Sequence, residues 1–153
     1  LQQFDDAAEI YLQGTKLTPN DNTIWANLAD SYKYSTTQSA NAQGAYNKAL
    51  ELALNKELIN PNDENIQSQI ARYYSELNQC SVADIYLQTV LKKSPTDPYV
   101  FYSLSLASLN CNRILEAENL AEKTIELGYS KELLLADPQF LAYKEQLSKL
   151  FNN

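Results

Sequence analysis

In the stretch PNDENIQSQIARYYSELNQCSVADIYLQTVLKKSPTDPYVF, residues 61–101, Pro61 and Pro95 each precede a helical run by six residues. After Pro61 the run is Gln67-x-x-Ile70-Ala71-x-x-Tyr74, and after Pro95 it is Phe101-x-x-Leu104-Ser105-x-x-Ser108. Upstream, Pro19 opens Trp25-x-x-Leu28-Ala29-x-x-Tyr32 in the same frame. Ala7, Ala83 and Ala117 stand 12 residues before Pro19, Pro95 and Tyr129, and Pro61, Pro95 and Tyr129 are spaced by 34 (95 − 61, 129 − 95). Within the runs, Ile66, Ile70, Tyr73, Tyr74 and Leu77, then Val82, Ile85, Tyr86 and Val90, recur at three and four residues, the period of a helix. Tandem amphipathic helices follow, and the fold class is all-α. Ala29, Ala71, Ala83 and Ala117 let paired helices approach, while Trp25, Tyr32, Tyr74 and Phe101 fill the space between pairs. The clusters ending in Asp21, in Asp63 and in Asp97-Pro98 stop one helix and cap the next.

This frame resembles the tetratricopeptide repeat, W-x2-L-G-x2-Y, then A-x3-F, then P over 34 residues. The second halves match at Ala7-x3-Tyr11, Ala42-x3-Tyr46, Ala83-x3-Leu87 and Ala117-x3-Ala121, with departures at Gln67, Ser108 and Tyr129. The resemblance implies a right-handed superhelix of helical hairpins closed by a C-terminal capping helix. A single domain, 1–153, is expected: the second helix of a truncated repeat (1–18), repeats at 20–60, 62–94 and 96–129, and a capping segment at 130–153.

Two places break the frame. Pro19 to Pro61 spans 42 residues (61 − 19), and seven of the eight extra residues fall between Ala42 and Pro61. Seven residues are about two turns, so the chain returns to the same face. One helix from about Gln38 to about Ile59, projecting past its neighbours, is predicted. It reads as a longer surface helix, or more sharply as a contact for a partner or second subunit. The end, Ser130 to Leu141, reads as a short helix, an Asp137 cap with Pro138 in the first turn, and one amphipathic helix through Tyr143, Leu147 and Leu150. It caps the stack, because an open terminal repeat exposes its apolar face.

Residues 45–140, through Ala45-Tyr46-x-x-Ala49-Leu50-Glu51-Leu52-Ala53 and Gly128-Tyr129-Ser130…Leu135-Ala136-Asp137-Pro138, look like the C-terminal repeats of some bacterial eukaryote-type serine/threonine protein kinases. That resemblance implies a partner-sensing or scaffolding tail of a larger signalling protein.

The formal net charge of −7 and the acidic pI of about 4.5 argue against nucleic acid and acidic lipid surfaces. No run approaches the length of a membrane span. The three glycines are isolated, so no phosphate loop is legible, and the absence of histidine removes Cys/His zinc sets and a base for serine or cysteine nucleophiles. No catalytic residue, metal or cofactor is expected. Cys80 and Cys111 read as reduced, partly buried thiols, with a disulfide across neighbouring turns as the alternative.

The expected function is non-enzymatic binding of a protein or peptide in the groove formed by the first helix of each hairpin. Its candidates, by spacing, are Thr23, Asp30 and Lys33; Asn65, Ser68 and Arg72; and Tyr99, Tyr102 and Leu106. The row Tyr99, Tyr102, Leu106, Leu109 is apolar where solvent is expected, so cover by residues 138–151 is predicted, with an open ligand face as the alternative. The rival function is homo-oligomerisation through the long helix and the Tyr99 row, and a free-standing adaptor is the other reading. A cytoplasmic setting is favoured, or a periplasmic one if a membrane segment lies upstream.

Overall fold

The computed structural model describes residues 2–152, so Leu1 and Asn153, at the outer edges of the first and last expected segments, lie outside the described residues. Every regular element among these residues is helical: α1 (Gln2–Leu17), α2 (Asn22–Tyr34), α3 (Ala42–Ile59), α4 (Glu64–Glu76), α5 (Cys80–Leu91), α6 (Pro98–Asn110), α7 (Ile114–Glu126), α8 (Lys131–Ala136), α9 (Pro138–Ala142) and α10 (Ser148–Asn152). The all-α class holds. The chain divides into two compact units, Leu1–Pro61 and Asn62–Asn153, at the proline that separates the first two expected repeats.

In the first unit, α1 lies antiparallel to α2. Asp5 near the start of α1 meets the hydroxyls of Ser35, Thr36 and Thr37 beyond the end of α2, while a Cβ on Gly14 would come within 3.1 Å of Ile24. α2 pairs antiparallel with α3: Tyr46 Oη donates to Asp30 at 2.5 Å, and Lys56 Nζ donates to Asn22 at 2.5 Å. Ala26, Ala29, Ala45, Ala49 and Ala53 are buried along these contacts, as helices in close approach require. The long helix is present at 18 residues against 13 in α2. It begins at Ala42, after a 3-10 turn at Ser39–Asn41, and not at Gln38. Lys56 is level with the start of α2, so Leu58 and Ile59 run past it and are more than four-fifths exposed.

The second unit repeats one hairpin twice. Lys93 to Gln67 and Tyr74 to Tyr86 set α4 against α5, and Ser108 Oγ donates to Glu116 where α6 turns into α7. Ala71, Leu87, Val90, Leu104, Ala107 and Leu120 form one core between the hairpins. The caps are where the sequence puts them: Asp21, Asp63, Asp97 and Asp137 accept from the backbone N–H of Thr23, Ile66, Tyr99 and Gln139. The other helix ends are just as regular. After α4, the Asn78 N–H donates to Ser75 O and the Gln79 N–H to Tyr74 O; after α6, the Asn112 N–H donates to Leu109 O and the Arg113 N–H to Ser108 O. Asn78, Asn112 and Gly128, which follow α4, α6 and α7, have φ of 60°, 56° and 101°. This left-handed close suits Gly and, less well, Asn.

Two expectations are corrected. Cys80, the first residue of α5, and Cys111, the residue closing α6, are not thiols but a disulfide, with Cα atoms 5.7 Å apart. Neighbouring hairpins stack turn on turn, which brings together residues almost one repeat apart. The closing helix is also not continuous: α9 ends at Ala142, the chain turns through Tyr143–Leu147, and α10 starts afresh. The reason lies on α7, where the buried Glu118 carboxylate accepts the Lys149 N–H and caps α10 from outside.

Candidate functional site

α4 and α6 run side by side and parallel. Asn65 Nδ2 donates to Asp97 at 3.1 Å at their N-terminal ends, and Asn110 Nδ2 donates to Ser75 Oγ at 3.0 Å at the other. Both rows read from the sequence therefore share one face of the second unit. On α4, Asn65 is exposed and Arg72 half-buried. Ser68 is not available: it is buried, and its hydroxyl donates back to Asn65 O at 2.8 Å.

On α6, Tyr99, Tyr102 and Leu106 fall along one side, but their fates differ. Leu106 and Leu109 are fully buried against Leu134, Phe140, Leu147 and Leu150, so Leu106 is withdrawn from the groove. The expected cover by residues 138–151 is present over both leucines. Tyr102 is half-buried; its ring stacks on Tyr129 at 5.2 Å and on Phe140 at 6.4 Å, and its hydroxyl donates to Asp137 at 2.5 Å. Tyr99 alone stays open, 62% exposed, with its ring edge-on to Tyr129 at 5.5 Å.

The electrostatics follow from burial. Loss of water pushes the Tyr102 phenol well above the usual tyrosine range, the Asp137 carboxylate pushes the same way, and the Arg72 guanidinium opposes both. Tyr129 is raised by burial, then by Tyr99 and Asp137. Both phenols are neutral at pH 7, so the cluster offers rings and O–H donors and carries no phenolate nucleophile.

The candidates of repeat one stand in the first unit. Thr23 is exposed at the start of α2, and Lys33 Nζ lies 5.5 Å from the Tyr34 ring. Asp30, expected to face away from the hairpin core, instead accepts the Tyr46 hydroxyl from α3, so its charge is directed into the hairpin. Tyr129, Asp137 and Gln139 were missed as part of the face. Gln139 Nε2 donates to Asn110 at 2.6 Å and to Leu106 O at 3.2 Å, extending the Ser75–Asn110 link onto α9. The available signal was Tyr129 itself, an aromatic where the repeat has proline.

Among the described residues, no group of three or more His, Cys, Asp or Glu is placed to hold a metal ion, and no helix is long and apolar enough to cross a membrane. No family model and no curated protein sequence matches this chain. What the face can do is therefore argued from its own residues: it presents a braced aromatic ring beside amide and carboxylate groups.

Proposed function

We propose that this chain is a tetratricopeptide-type scaffold, without catalysis of its own, that binds an extended peptide segment of a partner protein on the α4–α6 face. The supporting regularity for the repeat is the set of links from Asn65 to Asp97, Ser75 to Asn110 and Tyr102 to Asp137, joining residues 32, 35 and 35 apart. The observation that carries the binding reading is Tyr99. An aromatic side chain braced by a second ring has little rotamer entropy left to lose, which suits it to anchor a ligand. Asn65 and Asp97, bonded to each other at the same end, supply the amide and carboxylate that a peptide backbone needs. On this reading, residues 45–140 are the partner-sensing region of a larger signalling protein, such as a bacterial protein kinase.

Selection of a random peptide library on the immobilised chain tests the reading. Enriched peptides should carry an apolar anchor residue and should lose binding to Tyr99→Ala; no enrichment, or enrichment indifferent to Tyr99→Ala, contradicts it. Self-association is the second reading, favoured by exposed Leu58 and Ile59 at the end of α3. Light scattering separates the two, since the binding scaffold gives the 17.3 kDa monomer and the rival gives twice that mass.

A further inference from the structure

The disulfide stands apart from the binding face and has its own consequence. Cys80 and Cys111 are the only cysteines in the chain, and the sequence has no methionine, so all of its sulfur is in this one bond. Both residues are half-buried, and they sit at the turns that end α4 and α6. Other contacts hold the same edge: Arg113 pairs with Asp84 and Glu116, Asn110 donates to Ser75, and the shared core between the hairpins is continuous. The disulfide is therefore one of several contacts that join the two hairpins at this edge. A disulfide between two such cysteines persists where thiols are kept oxidised.

We propose that Cys80–Cys111 is a maturation disulfide, installed by an oxidised dithiol protein, and that this domain works in an oxidising compartment. The thiolate of one cysteine attacks the oxidant's disulfide and forms a mixed disulfide. The second thiolate then displaces the oxidant's sulfur. Cys80 and Cys111 lose two electrons and two protons, and the oxidant leaves as its dithiol. The setting that follows is the oxidising side of a membrane, in place of the cytoplasm favoured by the sequence.

Two measurements test this. Cells that make the full protein are quenched in acid and treated with a maleimide under denaturing conditions before and after reduction. The proposal expects no adduct before reduction and two after; two adducts without reduction overturn it. Thermal melts are then compared for the oxidised chain, the reduced chain and the Cys80→Ser, Cys111→Ser double variant. The reduced chain and the double variant should coincide, with helical circular dichroism retained and a midpoint about 10 °C below the oxidised chain. Coincidence of all three melts, the sign that the oxidised chain holds no such bond, overturns the proposal.

Discussion

Tyr102 ties α6 to Tyr129, Phe140 and Asp137 through one ring and one hydroxyl. Its raised ionisation has a definite sign. The folded state holds the neutral phenol, so the stabilisation is complete below the unfolded value of about 10 and is lost as pH rises above it. Wild-type stability should thus fall more steeply above pH 10 than that of Tyr102→Phe, measured by urea unfolding across pH. At pH 7 the same substitution should cost about 1–3 kcal/mol, because the Asp137 carboxylate loses a donor. Gly44 is the opposite case. It lies within α3, and a Cβ there meets nothing within 4 Å, so Gly44→Ala should stabilise by about 0.5–1 kcal/mol in the same assay. At this scale the sequence was informative for caps and small contacts: Asp21, Asp63 and Asp97 cap as their positions before helical runs require, and Ala29, Ala71, Ala83 and Ala117 are buried. It offered the pairing of Cys80 with Cys111 only as the alternative to two thiols, because residue types 31 apart do not decide whether their turns touch until the hairpins are stacked.

For whole elements, periodicity located the helices and missed their supports. Asn78 and Asn112 recur at 34 residues in left-handed closes of α4 and α6. Replacing either with Gly should leave stability unchanged or slightly raised, whereas Ala should cost about 1–2 kcal/mol, read from denaturant midpoints. The continuous helix expected after Pro138 failed for a different reason. No Gly or Pro interrupts residues 139–153, and the break at Tyr143–Leu147 is supported by Glu118, 31 residues before Lys149. Local sequence does not contain such a cap. Glu118→Ala should therefore accelerate amide exchange in residues 148–152 while leaving α6 protected, and it should cost about 1 kcal/mol because a part-buried N–H loses its acceptor. The cover of Leu106 and Leu109 was legible as the favoured of two readings, since an apolar row calls for cover and the segment after Pro138 carries apolar residues at helical spacing.

For the molecule as a whole, the second unit is two hairpins and a broken cap in which one half of an apolar row is covered and one ring is left out. Reading spacing alone placed Tyr99, Tyr102 and Leu106 together as equals; the cap separates them, and the face that remains is Asn65, Asp97 and Tyr99 with half-buried Arg72 and Tyr102 beside it. The most direct measurement of the central claim is the affinity of a library-selected peptide for the chain and for two variants, Tyr99→Ala and Ile85→Ala. Ile85 is an equally exposed apolar residue on α5, outside the face. The account predicts at least a tenfold loss, about 1.4 kcal/mol or more, for Tyr99→Ala and no change for Ile85→Ala. Equal losses for the two variants, or binding that ignores Tyr99, would contradict it.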